Sequence, residues 1–255
     1  MPSAIDHLVI AVPDPDAAAR ELEAALGIAF TSGGRHPGAG TFNRVAFLGE
    51  PYLELIGIED EELAAGGPIG AAALRTLRKH PEGGLATFAL LSRKLEKRVA
   101  RLRKAGSPIQ PPAPGARRAP DGEMVEWVTA TFDRLGPSRP PFLIRHVATG
   151  SEWSPDAIQR RWTARQPAGC VTTLAMLQLA AKSPAGVARH YRRQLGLKVE
   201  ALGDDRYLDI GAQSVLLVPR KPGEPRVAVH LACPARPDVV VQRFGIRWER
   251  RSPTS

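Results

Sequence analysis

The sequence predicts an α+β fold of tandem βαβββ modules whose strands curve into a mixed-sheet cup. Three observations predict it. The first sixty residues run strand, helix, strand, strand, strand; that order recurs further along the chain; and helix-ending and turn glycines return at matched places in the copies. A single unit of this kind exposes a sheet face, so the copies pair to bury it.

Taken in order, residues 5–12 alternate as a strand and Pro13 ends it. Asp14 or Asp16 caps a helix running to Leu26, with Ala18, Leu22, Ala25 and Leu26 as its apolar stripe and Gly27 placed to terminate it. A strand is expected over 28–32, followed by the glycine-dense loop GGRHPGAGT, then strands over 42–48 and 52–58 joined by a turn at 49–51. The second unit has a strand over 84–91, a basic helix over 93–105, a proline-rich loop PIQPPAPGARRAPDG, and strands over 124–132 and within PFLIRHVA. Residues 1–150 thus form a paired unit and 151–170 a connector. Residues 171–255 hold a third copy plus a shortened fourth with a brief helix and two strands missing. Gly49 falls on Gly211 when RVAFLGEPYLELIG is laid on RYLDIGAQSVLLVP.

Composition bounds the function. The 255 residues suffice for a real core, and 43% apolar content argues against disorder throughout. The net charge of +9 raises a nucleic-acid reading, but the cations sit in short scattered clusters, three of them in helix-like segments, and aromatics are only 5%. Nucleic acid is therefore not the expected partner; a small molecule is, with a homodimer as the expected assembly. No apolar run approaches the roughly 20 residues of a membrane helix, the start lacks a signal pattern, and two cysteines make no disulfide scaffold, so a cytoplasmic protein is expected with no membrane partner. Cys170 and Cys233 lack a nearby basic motif and read as inert.

Two polar residues are out of place. His7 in IDHLVIAV and Glu54 in PYLELIGI sit in apolar strands that have no reason to bury an imidazole or a carboxylate without a partner. On the inward face of the cup they would share a cavity, as general base and orienting group or as metal ligands. The bland alternative is a core histidine bonded to backbone. Around the glycine loop, His36, Thr41 and Asn43 read as a substrate clamp, with Arg44 and Arg35 as partners for an anionic substrate. Glu126 and Trp127 could face the cup, or be core or surface; His80, His190 and His230 read as structural or solvated.

IDHLVIAVPD, ALG, HPGAGTFNR and YLEL together resemble the vicinal oxygen chelate (VOC) superfamily, which includes glyoxalase I, extradiol dioxygenases and fosfomycin-resistance proteins, and within it the glyoxalase-like domain branch. The resemblance is good over residues 4–150 and weak over 171–248. It implies the glyoxalase/bleomycin resistance/dihydroxybiphenyl dioxygenase fold: paired modules around one divalent metal ion (Zn, Fe, Mn or Ni) held by a His on the first strand and a Glu on the fourth of each module. His7 and Glu54 match the first pair. The second module departs from the pattern: Ala86 or Thr87 falls on His7 and Ile144 on Glu54, with His146 two residues on as a substitute ligand. In the third copy the places are Met176 and Leu216. The metal is therefore an open expectation, and a metal-free cup its close alternative. The implied activity is that of a lyase, isomerase or dioxygenase acting on a compound with neighbouring oxygens; the alternative is a binding protein that sequesters a drug or metabolite.

Overall fold

A computed structural model describes residues 4–31, 33–118, 122–147, 153–154, 156–157, 172–233 and 237–252. The first two modules supply strands β1 (Ala4–Ala11), β2 (Gly34–His36), β3 (Thr41–Phe47), β4 (Tyr52–Ile58), β5 (Gly84–Leu91), β6 (Ala113–Arg118), β7 (Met124–Ala130) and β8 (Phe142–His146). They close into a barrel in the order β1-β4-β3-β2-β6-β7-β8-β5. Closure goes further than the expected open cup, and its seam is thin: among the described residues β2 and β6 meet at the one pair Arg35–Arg118.

Helix α1 (Pro15–Leu26) begins where Asp14 accepts hydrogen bonds from the backbone N–H groups of Asp16 and Ala17, and it ends at left-handed Gly27. Helix α2 (Glu61–Gly66) fills a stretch with no expected element, α3 (Pro68–Lys79) carries at its end the basic cluster Arg75–Lys79, one of the three expected in helix-like segments, and α4 (Leu95–Lys104) is the basic helix of the second module. Two expectations are corrected. Residues 28–31 form no strand; their backbone is tied down instead by Glu23 and by the carbonyl of Val45, and the strand falls inside the glycine loop as β2. Part of the proline-rich loop is strand β6, because Pro114 and its neighbours lie along an antiparallel partner, β7.

The rest of the chain forms β9 (Thr173–Ala181), α5 (Pro184–Leu195), β10 (Glu200–Leu202), β11 (Asp205–Ile210), β12 (Gln213–Pro219), β13 (Val227–Ala232), β14 (Val239–Arg243) and β15 (Ile246–Arg251). These strands make a seven-stranded sheet, β10-β11-β12-β9-β13-β15-β14. The expected third copy is complete. Ser183 caps α5 as Asp14 caps α1, and Gly196 ends it in the same left-handed conformation as Gly27. The fourth has three strands and, among the described residues, no helix. One hydrophobic core runs from the barrel into this sheet, from Leu8 and Leu22 through Phe88 and Tyr191 to Trp248. Buried hydrogen bonds tie the seam: Ile5 N–H donates to Gln213 Oε1 (3.1 Å), and the Arg98 guanidinium and the Ser107 hydroxyl donate to the carbonyls of Leu195 and Gln194 (2.8 Å each). Of the connector only Trp153, Ser154, Asp156 and Ala157 are described. Cys233 is disulfide-bonded and so corrects its reading as an inert thiol; Cys170 lies outside the described residues. Cysteine usage therefore no longer argues for a reducing compartment. No described helix is long and apolar enough to cross a membrane.

Candidate active site in the barrel

The parallel pairs β1–β4 and β5–β8 fix which residues are equivalent between modules. Val12 N–H donates to Ile56 O in the first module, and Ser92 N–H to Ile144 O in the second. Counting back from these bonds, Thr87 stands where His7 stands and Phe142 where Glu54 stands. The structure thus corrects the expected match of Ile144 to Glu54. The antiparallel pairing of β1 with β5 agrees, since it sets His7 opposite Ala89 and Val9 opposite Thr87. In the second sheet the same positions hold Met176 with Leu216 and Ala228 with Glu249.

A local irregularity recurs with the modules. In β1 the register skips Asp6 between Ile5 and His7; in β5 it skips Ala86; in β9 it skips Ala175. The extra residue of such a bulge bends the strand and re-aims its side chains. Only the first module places a carboxylate there. Asp6 is 4% exposed, its Oδ1 lies 2.6 Å from His7 Nδ1, and both its oxygens lie 3.0–3.1 Å from His146 Nε2. Burial alone would raise the Asp6 pKa, but the His146 charge and hydrogen bonds from His146 and His7 outweigh it and hold the carboxyl well below the usual carboxylate range. Asp6 was missed in the sequence because plain alternation turns it away from His7.

His7, 3% exposed, points its other nitrogen into the barrel, with Nε2 3.6 Å from Glu54 Oε2. Its ring stacks on Tyr52 (centroids 4.5 Å apart) and meets Phe142 edge-on at 5.4 Å. The remaining oxygen of Glu54 accepts a 2.6 Å hydrogen bond from Asn43 Nδ2, and Asn43 Oδ1 accepts from Gly34 N–H. The result is a continuous polar chain, His146–Asp6–His7–Glu54–Asn43, across the wall of a cavity of about 490 Å³. His36 and Thr41 also line it, joined Nδ1 to Oγ1 at 3.1 Å. Burial, together with the Arg117 charge and partly offset by Glu54, lowers the His36 pKa.

The expected site residues divide by strand face. His7, Glu54, His36, Thr41, Asn43 and His146 all line the cavity. Arg44 does not: it alternates to the outer face of β3, where its Nε lies 2.5 Å from Asp16 Oδ1. Arg35 pairs with Glu59, Trp127 lines the cavity and Glu126 faces solvent. His80 and His230 approach Glu82 and Glu249 at 3.8 and 3.7 Å. Beyond Asp6, the sequence reading missed Arg117 from the proline-rich stretch and Trp153, which stacks on His146 at 3.6 Å.

These donors do not fit the metal centre that the fold class implies. His7 Nε2 and Glu54 are two donors from one module. The corresponding pair of the second is Thr87, whose hydroxyl is buried, and Phe142, which fills its place with a ring. His146 Nε2, the expected substitute ligand, is spent on Asp6. Among the described residues no group of three or more His, Cys, Asp or Glu side chains is placed to hold an ion.

A sequence model described as a glyoxalase-like domain matches residues 5–195. The chain belongs to the glyoxalase-like domain family. That places it in the vicinal oxygen chelate superfamily, as the repeated modules and the βαβββ topology suggested. The crystal structure of a hypothetical protein from Staphylococcus aureus superposes with a TM-score of 0.80 at 16% identity, covering 97% of this chain and 98% of that one. A mutant of 4-hydroxymandelate synthase from Streptomyces coelicolor superposes with a TM-score of 0.51 at 17% identity, covering 91% and 71%. A methylmalonyl-CoA epimerase variant from Streptomyces coelicolor reaches 0.41 at 18% identity, covering 56% and 97%. At these identities the first two likenesses show the fold. A search of curated proteins finds no match. The family match spans the barrel, takes in β9 of the second sheet and stops at the end of α5.

Proposed function

We propose that this glyoxalase-like protein is an acid–base enzyme, of isomerase or lyase type, acting in the barrel cavity on a small molecule with neighbouring oxygens. The observation that carries the reading is the Asp6–His7–Glu54 chain, with contacts of 2.6 and 3.6 Å, ending at the cavity. With Nδ1–H held by Asp6, His7 offers Nε2 to the cavity. In its imidazolium form that nitrogen donates, either to Glu54 or to a substrate oxygen. Glu54 is the base: its Oε2 takes a proton from carbon next to a carbonyl, the C–H electron pair moves into the carbonyl, and the developing oxyanion accepts a hydrogen bond from His7 Nε2–H. Returning the proton to the opposite face of the same carbon inverts it; returning it to the former carbonyl carbon, while the neighbouring hydroxyl proton passes to the oxyanion, completes the isomerisation of an α-hydroxy ketone. Asn43 keeps the reacting oxygen of Glu54 directed inward by occupying the other one. A positioned acid–base pair of this kind contributes about 10²–10⁴ in rate. His36 and Thr41 are the substrate clamp of the proposal.

The wall around these groups favours a second reading. Phe47, Tyr52, Trp127, Phe142 and Trp153 make much of it, a lining suited to holding a flat apolar molecule without chemistry. Proton exchange separates the two. Small α-hydroxy ketones and 2-oxo acids are incubated in D₂O and followed by NMR. Exchange of the α-proton that Glu54→Gln abolishes, while ligand-induced thermal shifts persist in that variant, supports the enzyme. Ligands that shift the melting temperature through cavity residues but never exchange would leave the sequestering reading in its place.

A further inference from the structure

A second cavity lies on the seam between barrel and second sheet, about 720 Å³ in volume, and shares no lining residue with the barrel cavity. Its walls are α3, the turn after β7 and the loops flanking β13 and β14. Five cations line it: Arg75, Lys79, Arg134, Arg139 and Arg226. Among the described residues none of the five has a carboxylate within ion-pair distance, although Arg78, Arg145, Arg243 and Arg251 on the same molecule each do. Two carboxylates share the walls. Glu82 lies 3.8 Å from the His80 ring and Glu224 lies 3.8 Å from Lys221, so five cations face two carboxylates across the cavity. The cavity therefore carries an excess of positive charge. Cations gathered without anions raise one another's free energy, and an anion that neutralises them recovers it. The lowered pKa of Arg75 has this origin after burial, in the charges of Arg134 and Arg139. Arg75 is held in place by its bond to Leu135 O at 3.1 Å, which leaves the rest of its fork for a ligand.

We propose that this seam cavity binds a compact, multiply charged phosphate anion of the diphosphate class. Guanidinium groups recognise phosphate oxygens bidentately, and the five cations come from three separate segments of the chain, so they surround an anion rather than track along a strand. Single-stranded nucleic acid is disfavoured by chemistry: among the described residues no Phe, Tyr or Trp lines the cavity, and stacking platforms are what hold bases in such sites. A free diphosphate and the diphosphate of a nucleotide share the recognised group. The proposal is independent of the acid–base reading of the barrel.

The test is calorimetric titration of the full chain with inorganic pyrophosphate, and separately with ADP, at about 150 mM salt, where screening removes weak surface association. One site per chain is expected. The double variant Arg134→Gln/Arg139→Gln should weaken it by at least about tenfold, and Lys97→Gln/Lys182→Gln, which removes equal charge elsewhere, by less than about twofold. Equal affinity for the two ligands assigns a free diphosphate, and tighter ADP binding assigns a nucleoside diphosphate. Binding that vanishes at this salt, or that falls equally in both double variants, overturns the proposal. So does duplex DNA binding that outcompetes pyrophosphate and survives the cavity variant.

Discussion

His7 Nδ1 lies 2.6 Å from Oδ1 of Asp6, its immediate neighbour in the same strand. Consecutive strand residues ordinarily face opposite sides of a sheet. The bulge between Ile5 and His7 removes that restriction, and because it recurs at Ala86 and Ala175 it belongs to the module rather than to the site. The first module has converted a shared backbone feature into a place for a carboxylate. From there one anion orients His7 and His146 together, joining an element of each barrel module.

Replacing Asp6 by Ala should destabilise the protein by about 3–5 kcal/mol at neutral pH, because it strips the anion from two buried imidazoles. The sign with pH follows from the lowered Asp6 pKa. The native state prefers the ionised carboxyl, so the wild-type advantage is full above the unfolded value of about 4 and is lost as pH falls below it toward the native value. Urea denaturation of both proteins between neutral and acid pH measures the gap. A gap that widens on acidification would contradict the assignment.

His36 titrates with the same sign for a different reason. Burial lowers its pKa, so the native state prefers neutral imidazole, and stability falls as pH drops from about 6.5 toward the native value. His36→Gln should flatten the dependence of melting temperature on pH in that window. An NMR titration should put the His36 midpoint below about 6.5; a midpoint above it would sink the prediction.

Much of this was legible in the chain. Proline, capping residues and glycine punctuate α1 and α5 alike, and the repeats gave the module order, so the positions of His7 and Glu54 on one inward face could be read before any coordinates. The losses have physical causes. A bulge leaves no mark on hydropathy, so Asp6 passed for an outward residue. Proline in Ala113–Arg118 masked an antiparallel edge, and with it Arg117. Arg44 was misplaced because alternation along β3 was not carried through: Thr41 and Asn43 face in, so Arg44 faces out. The register of β8 needed the Ser92–Ile144 bond to separate Phe142 from Ile144.

Gly33 should resist substitution although it does not itself line the cavity. Its φ is +64°, and a Cβ there would lie 1.7 Å from the carbonyl oxygen of Asn43. Gly33→Ala is expected to cost at least about 2 kcal/mol and to displace Asn43 from Glu54. Gly38→Ala, where a Cβ meets nothing within 4 Å, is the control and should stay within about 0.5 kcal/mol. Equal melting temperatures for the two variants would show that β2 absorbs the clash.

The module equivalence itself can be tested by restoring what the second module lacks. If Thr87 and Phe142 truly occupy the counterparts of His7 and Glu54, Thr87→His combined with Phe142→Glu presents a second imidazole and a second carboxylate across the barrel from the first pair. Two such pairs are a donor set that zinc or nickel accepts. The double variant should bind Ni²⁺ at least about tenfold more tightly than the wild type, and added metal should raise its melting temperature, since ligands that hold a metal only when folded favour the folded state. Adding His7→Ala should remove the gain. Isothermal titration with Ni²⁺, on protein whose circular dichroism matches wild type, reads the result. A folded double variant with wild-type affinity would mean that the two pairs do not converge, and the register drawn from the Val12–Ile56 and Ser92–Ile144 bonds would have to be redrawn.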